Sequence, residues 1–161
     1  MLTKERLKDI LHYDMVSGIF TRLISTNGRV KAGDIAGTIM KDGYIRISVD
    51  SKQYLGHRLA WLYVYGEFPE KEIDHINTIR TDNRICNLRA ANRTLNAENI
   101  ISSQKNNKSG FLGVNARKYG TYRARIRVNK KLISLGSFLS PELAHQAYLT
   151  AKRKLHNGCT I

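Results

Sequence analysis

The sequence predicts an α+β fold: a small β-rich region with helices in roughly the first hundred residues, then a three-stranded antiparallel sheet packed on one helix. Three observations carry that prediction. Residues 121–128 alternate strictly, sending Tyr122, Ala124, Ile126 and Val128 to one side and Arg123, Arg125 and Arg127 to the other, which is the period of a half-buried strand. The stretches 57–65 and 141–156 carry apolar residues with helical punctuation. Charge divides the chain: residues 1–101 hold 15 Lys+Arg against 12 Asp+Glu, whereas residues 102–161 hold 12 against the single acid Glu142. Two functional units are expected, 1–101 and 110–161, joined through the polar segment 102–109, which lacks an apolar residue and reads as a linker or extended arm.

Taken in order, Leu7, Ile10 and Leu11 recur at helical spacing over 2–12, with Thr3 offering an N-cap oxygen. Glycines at 18, 28, 33, 37 and 43 then punctuate short β-rich pieces at 19–21, 35–38 and 44–49. The last alternates cleanly after Lys41-Asp42-Gly43, as the second arm of a hairpin does. His57 to Tyr65 is dense in apolar and aromatic residues and ends before Gly66, predicting a buried helix with a glycine C-terminal cap. In the second unit, strands are expected over 111–117, 121–128 and 131–138, with short connections at Tyr119-Gly120 and Asn129-Lys130. A helix over 141–156 has Ser140 at its N-cap, Pro141 at its first turn, and Lys152, Arg153 and Lys154 near its end. Ala144, Ala147, Tyr148, Ala151 and Leu155 form its expected apolar stripe.

The net charge of +14 in 161 residues points to a polyanion. A membrane is the weaker choice, since no apolar run approaches the roughly 20 residues that span a bilayer and no apolar h-region opens the chain. A cytoplasmic location is expected. The two cysteines, Cys86 and Cys159, are far apart and outside any C-x-x-C pattern, which excludes a disulfide framework and a cysteine-rich zinc ribbon.

Residues 72–99 concentrate polar residues that do not suit a solvated loop. Asn92, Asn96 and Asn99 fall at i, i+4 and i+7, so one helix would carry all three on a face, with Leu88 and Leu95 on another. Asp74-His75, then eleven residues, Asn87, then eight residues, Asn96: this order, with Asp82-Asn83-Arg84 and Asn87-Leu88-Arg89, resembles the phage-type members of the HNH nuclease family. The His57-Arg58-Leu59-Ala60-Trp61 stretch upstream is similar to the same family, and the first 55 residues look like the leader of that phage group. The resemblance implies a ββα-metal HNH motif, two short strands and a helix around one divalent metal, with helix plus motif over 56–101. It also implies that Asn87 braces the loop that aims the histidine. After that histidine, family members often show an acidic residue and a glycine, where this chain has Asn77-Thr78.

The chemistry of these residues supports the resemblance. Phosphodiester hydrolysis needs a base for the attacking water, a cation for charge on the phosphate and leaving oxygen, and donors for neighbouring phosphates. His75 suits the base, because an imidazole with an ordinary pKa near 6.5 is neutral at working pH. Asp74 offers a carboxylate oxygen and Asn96 an amide oxygen, hard donors that favour Mg²⁺ or Mn²⁺ over Zn²⁺. Arg84, Arg89 and Arg93 are candidate phosphate contacts.

In the second unit, Arg123, Arg125 and Arg127 stand about 6.5 to 7 Å apart along one strand face, comparable to phosphate spacing. Like charges at alternate positions repel unless a polyanion screens them. Gly113-Val114, Tyr122-Arg123-Ala124-Arg125-Ile126, Leu135-Gly136 and Ala144 to Tyr148 resemble the DNA-binding domain of plant ethylene-response factors. In that resemblance the sheet enters the major groove, and the matching contact positions are Asn115, Arg117, Arg123, Arg125, Arg127 and Ser134.

The two together imply a metal-dependent, site-directed DNA endonuclease of the homing type, phage-encoded and acting on double-stranded DNA in the cytoplasm of a bacterial host. One site per chain nicks one strand, so a double-strand break requires a homodimer or a second event by the monomer. A non-catalytic DNA-binding regulator on a nuclease scaffold is the alternative, and an RNA-binding protein a further one. The arginine face lacks the aromatic pairs of an RNA-stacking platform.

Overall fold

The computed structural model describes residues 1–26 and 28–159, and of Arg93 the backbone only. These residues divide into two compact units, Met1–Asn92 and Arg93–Ile161. The division falls ahead of the 102–109 segment that charge marks, so the helix carrying Asn96 groups with the second unit.

In the first unit, α1 (Lys4–Ile10) starts at Thr3, whose hydroxyl accepts from the Arg6 N–H at 3.2 Å, and buries Leu7 and Ile10. β1 (Leu11–Tyr13) and β2 (Phe20–Arg22) pair antiparallel, Tyr13 opposite Phe20. β3 (Thr38–Ile39), β4 (Ile45–Val49) and β5 (Lys52–Leu55) form an antiparallel sheet in that order. The hairpin expected around Lys41-Asp42-Gly43 is present, with Arg46 opposite Thr38. α2 (Gly56–Tyr65) buries His57, Leu59, Ala60 and Leu62, and ends at Gly66. That glycine sits at φ 90° and returns its N–H to the Leu62 carbonyl, closing the helix in a backbone conformation that side chains disfavour. The core gathers Leu7, Leu11, Phe20, Ile47, Leu59 and Leu62, and Ile73 and Leu88 reach it from the hairpin that follows.

That hairpin is β6 (Glu72–His75) against β7 (Leu88–Ala91), in antiparallel register with Asp74 opposite Arg89 and His75 opposite Leu88. The Ile85–Asn87 turn of 3₁₀-helix leads into β7. β6 ends in a tight turn in which the Thr78 N–H donates to the His75 carbonyl at 2.9 Å and Thr78 takes φ 63°. A β-branched residue in the left-handed region carries a cost of about 1–2 kcal/mol.

The expected helical face of three asparagines is corrected. α3 spans only Arg93–Glu98, so Asn92 precedes it, Asn99 follows it, and Leu88 belongs to β7. Asn92 is exposed, whereas Asn99 is 3% exposed and still donates its N–H to the Leu95 carbonyl.

In the second unit, β8 (Val114–Ala116), β9 (Tyr122–Val128) and β10 (Lys131–Phe138) form an antiparallel sheet with β9 central, and α4 (Pro141–Leu155) packs on it. β8 is shorter than the expected 111–117. The β9–β10 connection is two residues, Asn129 at φ 48° and Lys130 at φ 65°, the left-handed pair that matches strand twist. Val114, Ala124 and Ala144 make the small core, with Ile126 also buried. The stripe of α4 differs from the expected one: Ala144, Tyr148 and Lys152 are buried, and Leu155 is exposed. Lys152 turns inward because its ammonium donates to the Ile100 carbonyl. Residues 102–109 fold as turns, with Asn107 donating its backbone N–H to Gln104 and its side-chain amide to the Phe111 carbonyl. No helix of the described residues is long and apolar enough to cross a membrane.

Candidate active site and nucleic-acid interface

The strand pairing of β6 and β7 builds the site. Asp74 faces Arg89 across the hairpin, and the guanidinium donates through Nε at 3.0 Å and Nη2 at 2.7 Å, both to Oδ2 of the carboxylate. Arg89 thus offsets the charge of Asp74 and orients it. His75, the last residue of β6, is 4% exposed, and its Nε2 lies 3.2 Å from Asn83 Oδ1.

Asn87 ties the intervening loop across its width. Its Oδ1 accepts the Asn77 N–H at 2.9 Å and its Nδ2 donates to the Asp82 carbonyl at 2.8 Å. Its backbone adds two bonds, from the Ile76 N–H to its carbonyl and from its own N–H to the Arg84 carbonyl, each 2.9 Å. Asp82 accepts from Asn77 Nδ2 at 2.7 Å and from Arg84 at 2.6 and 2.8 Å. The Arg84 bonds are the main reason its carboxyl is held down to about 2. Arg84 is therefore ion-paired while remaining half exposed. The side chain of Arg93 lies outside the described residues.

Two further rings lie against His75. His57 on α2 lies edge-on at 5.0 Å between ring centroids, and Tyr44 lies 5.9 Å from His75 and 5.3 Å from His57. Arg80 stacks its guanidinium over Tyr44 at 4.8 Å. Burial lowers the pKa of both histidines; for His75 this outweighs the opposing pull of Asn83 and Asp74, and for His57, aided by its neighbour His75, it reaches about 4. Both rings are neutral at working pH. Sequence reasoning assigned no role to Asn83, Tyr44 or the Asp74–Arg89 pair, since each depends on a contact between elements.

The His57 shift has a direct consequence for stability. The unfolded ring titrates near 6.5 and the folded one near 4, so the neutral ring contributes fully above about pH 6.5 and that contribution is lost as pH falls toward 4. Unfolding by urea, followed through the single tryptophan, Trp61, is expected to weaken over that window by up to about 3 kcal/mol. His57→Leu is expected to flatten the decline; an equally steep decline in that variant would contradict the assignment.

In the second unit, Asn115, Arg123 and Ser137 align across the sheet, and Arg125 stands opposite Ser134. Asn115 Oδ1 accepts from Arg125 through Nε at 3.2 Å and Nη2 at 2.8 Å, fixing that guanidinium on the outer face. Arg127 and Ser134 are exposed on the same sheet, and Arg117 is exposed just after β8. The face opposite α4 therefore groups Asn115, Arg123, Arg125, Arg127 and Ser134.

For a metal, the donors on offer are the carboxylate of Asp74 in the first unit and the amide of Asn96 on α3. Among the described residues no three or more His, Cys, Asp or Glu side chains group as a metal cage. Asp74 and Asn96 each offer a hard oxygen donor, the kind that suits Mg²⁺ or Mn²⁺.

Comparison with curated proteins returns no match, and comparison with solved structures returns none. Residues 54–98, which run from the end of β5 through α2 and the β6–β7 hairpin to α3, match the HNH endonuclease family. This chain accordingly carries an HNH endonuclease domain at residues 54–98, a module of nucleic-acid nucleases.

Proposed function

We propose that the protein is a metal-dependent, site-directed DNA endonuclease of the homing type, phage-encoded, with nuclease chemistry over 1–101 and duplex reading over 110–161. The observation that carries this reading is His75: a buried imidazole with a lowered pKa, beside Asp74, in a loop fastened by Asn87. A neutral imidazole at that position takes the proton of an attacking water. Asp74, oriented by Arg89, and Asn96, assigned by motif spacing, would hold one Mg²⁺ or Mn²⁺ in the ββα arrangement of the family. The ion supplies charge neutralisation at the scissile phosphate when bound. Asn87 keeps the loop from drifting, and Arg84 carries positive charge at its exposed edge.

The sheet of the second unit supports duplex recognition. Its outer face presents three arginines from one strand, and the unit's sequence from residue 102 onward holds one acid. A site with two protein ligands has little base discrimination, so grip and choice of sequence fall to a separate surface. Arg125→Ala is expected to weaken duplex binding about tenfold or more and to lower the slope of log affinity against log salt by about 0.9. An unchanged slope in a salt titration would remove Arg125 from the phosphate-contacting set.

The test of the activity is supercoiled plasmid incubated with Mg²⁺, Mn²⁺ or EDTA. Nicked or linear product that needs the metal supports the nuclease reading, and the ratio of the two over time bears on whether one or two sites act at once. The second reading, a DNA-binding regulator on a nuclease scaffold, draws on the engagement of Asp74 by Arg89. It predicts gel shifts without nicking under either metal.

A further inference from the structure

A neutral imidazole has one donor nitrogen and one acceptor nitrogen, and only the acceptor takes a proton from water. The partner of one nitrogen decides the role of the other. His75 Nε2 faces Asn83 Oδ1 at 3.2 Å, and an amide oxygen only accepts. We propose that Asn83 is the positioning residue of the general base, holding His75 as its Nε2–H tautomer so that Nδ1 bears the lone pair that receives the water proton. The proposal rests on His75 as the base and names the residue that sets it up.

The surroundings of Asn83 are built to hold that amide. It is 2% exposed, although Asp82 and Arg84 on either side reach the surface. Its backbone carbonyl accepts the Tyr13 hydroxyl at 2.7 Å, a bond from β1 across 70 residues. A methyl at Gly56, the first residue of α2, would stand 2.7 Å from Asn83 Nδ2, so the amide is wedged against bare helix backbone. A methyl at Gly18, which sits at φ 75°, would stand 2.8 Å from the Asn83 carbonyl carbon and 2.5 Å from the Arg84 nitrogen. Backbone from two other elements therefore closes on Asn83, and its Oδ1 is directed at the imidazole. A side chain serving only to fill this space would need no oxygen aimed at His75.

The test is ¹⁵N NMR of the full-length protein labelled at histidine, with His75 assigned by its loss in His75→Ala, together with steady-state plasmid nicking. The wild-type protein is expected to show His75 protonated on Nε2. Asn83→Asp, which keeps an acceptor on that nitrogen, is expected to retain the tautomer and to nick faster than Asn83→Leu. Asn83→Leu, which removes the acceptor at similar size, is expected to mix the tautomers and lower kcat about 100-fold with KM for plasmid unchanged. An Nδ1–H tautomer in the wild-type protein, as the opposite amide orientation would impose, overturns the proposal. So does full kcat in a folded Asn83→Leu. If that variant fails to fold, the wild-type tautomer and Asn83→Asp decide. A wild-type protein that shows the Nε2–H tautomer but never nicks supports the Asn83 assignment and sinks the nuclease reading instead.

Discussion

His75→Ala is expected to lower metal-dependent nicking by about 10²- to 10⁴-fold, the range that a positioned general base contributes, while duplex affinity in a gel shift stays within about twofold of wild type. The two halves of this outcome follow from different units. Binding is assigned to a sheet whose arginines lie on β9, whereas His75 is 4% exposed at the end of β6. A ring so buried offers little surface for nonspecific grip on DNA. Its lowered pKa keeps it neutral, so removing it takes away no positive charge that phosphate would feel at neutral pH. The cavity left by the ring lies against His57 and Tyr44, and some loss of stability is expected with it. Urea unfolding therefore accompanies the assay, so that loss of activity is read on folded protein. A parallel collapse of affinity and nicking in a folded variant would mean that His75 organises the DNA surface and would count against its role as base.

Features that depend on local period were legible in the sequence. Thr3 caps α1 because a hydroxyl three residues before an N–H needs no help from elsewhere, and β9 alternates because strand geometry does. Asp74, His75 and Asn87 were singled out by an order that resembles a known nuclease motif, and the structure has all three on or beside one hairpin. What the sequence did not disclose was set by distance along the chain. Asn83 has no periodic signal; its role comes from Tyr13, Gly18 and Gly56, which lie far upstream. Arg89 reads as one more surface arginine until the β6–β7 register puts it across from Asp74. Lys152 occupies a position where a basic residue suits the end of a helix, yet it is 1% exposed because the Ile100 carbonyl is within its reach. The face of asparagines failed for a simpler reason: spacing assumes a continuous helix, and α3 is six residues long.

Asn87→Ala tests the brace itself and is expected to act on stability and activity together. The residue is 6% exposed, and its amide ties the Asn77 N–H and the Asp82 carbonyl to the far end of the loop. Alanine leaves a donor and an acceptor without those partners. At about 1–3 kcal/mol for each such group where water does not replace the bond, the loss is expected to be about 2–4 kcal/mol. For a unit of this size that corresponds to a fall in Tm of roughly 10–25 °C, read from urea and thermal unfolding through Trp61. The backbone bonds of residue 87 to Ile76 and Arg84 remain in the variant, so the hairpin still pairs, and the damage concentrates in residues 77–83. That stretch ends on Asn83, the partner of His75 Nε2, so kcat is expected to fall beyond what unfolded protein explains, even well below the new Tm. Asn87→Asp separates the two bonds: its carboxylate still accepts from the Asn77 N–H but meets the Asp82 carbonyl with an oxygen in place of a donor. An intermediate loss of stability in Asn87→Asp is the expected order. Full stability in Asn87→Ala would show that water replaces both bonds and that the loop is held in place by its turns and by the Asp82–Arg84 pair.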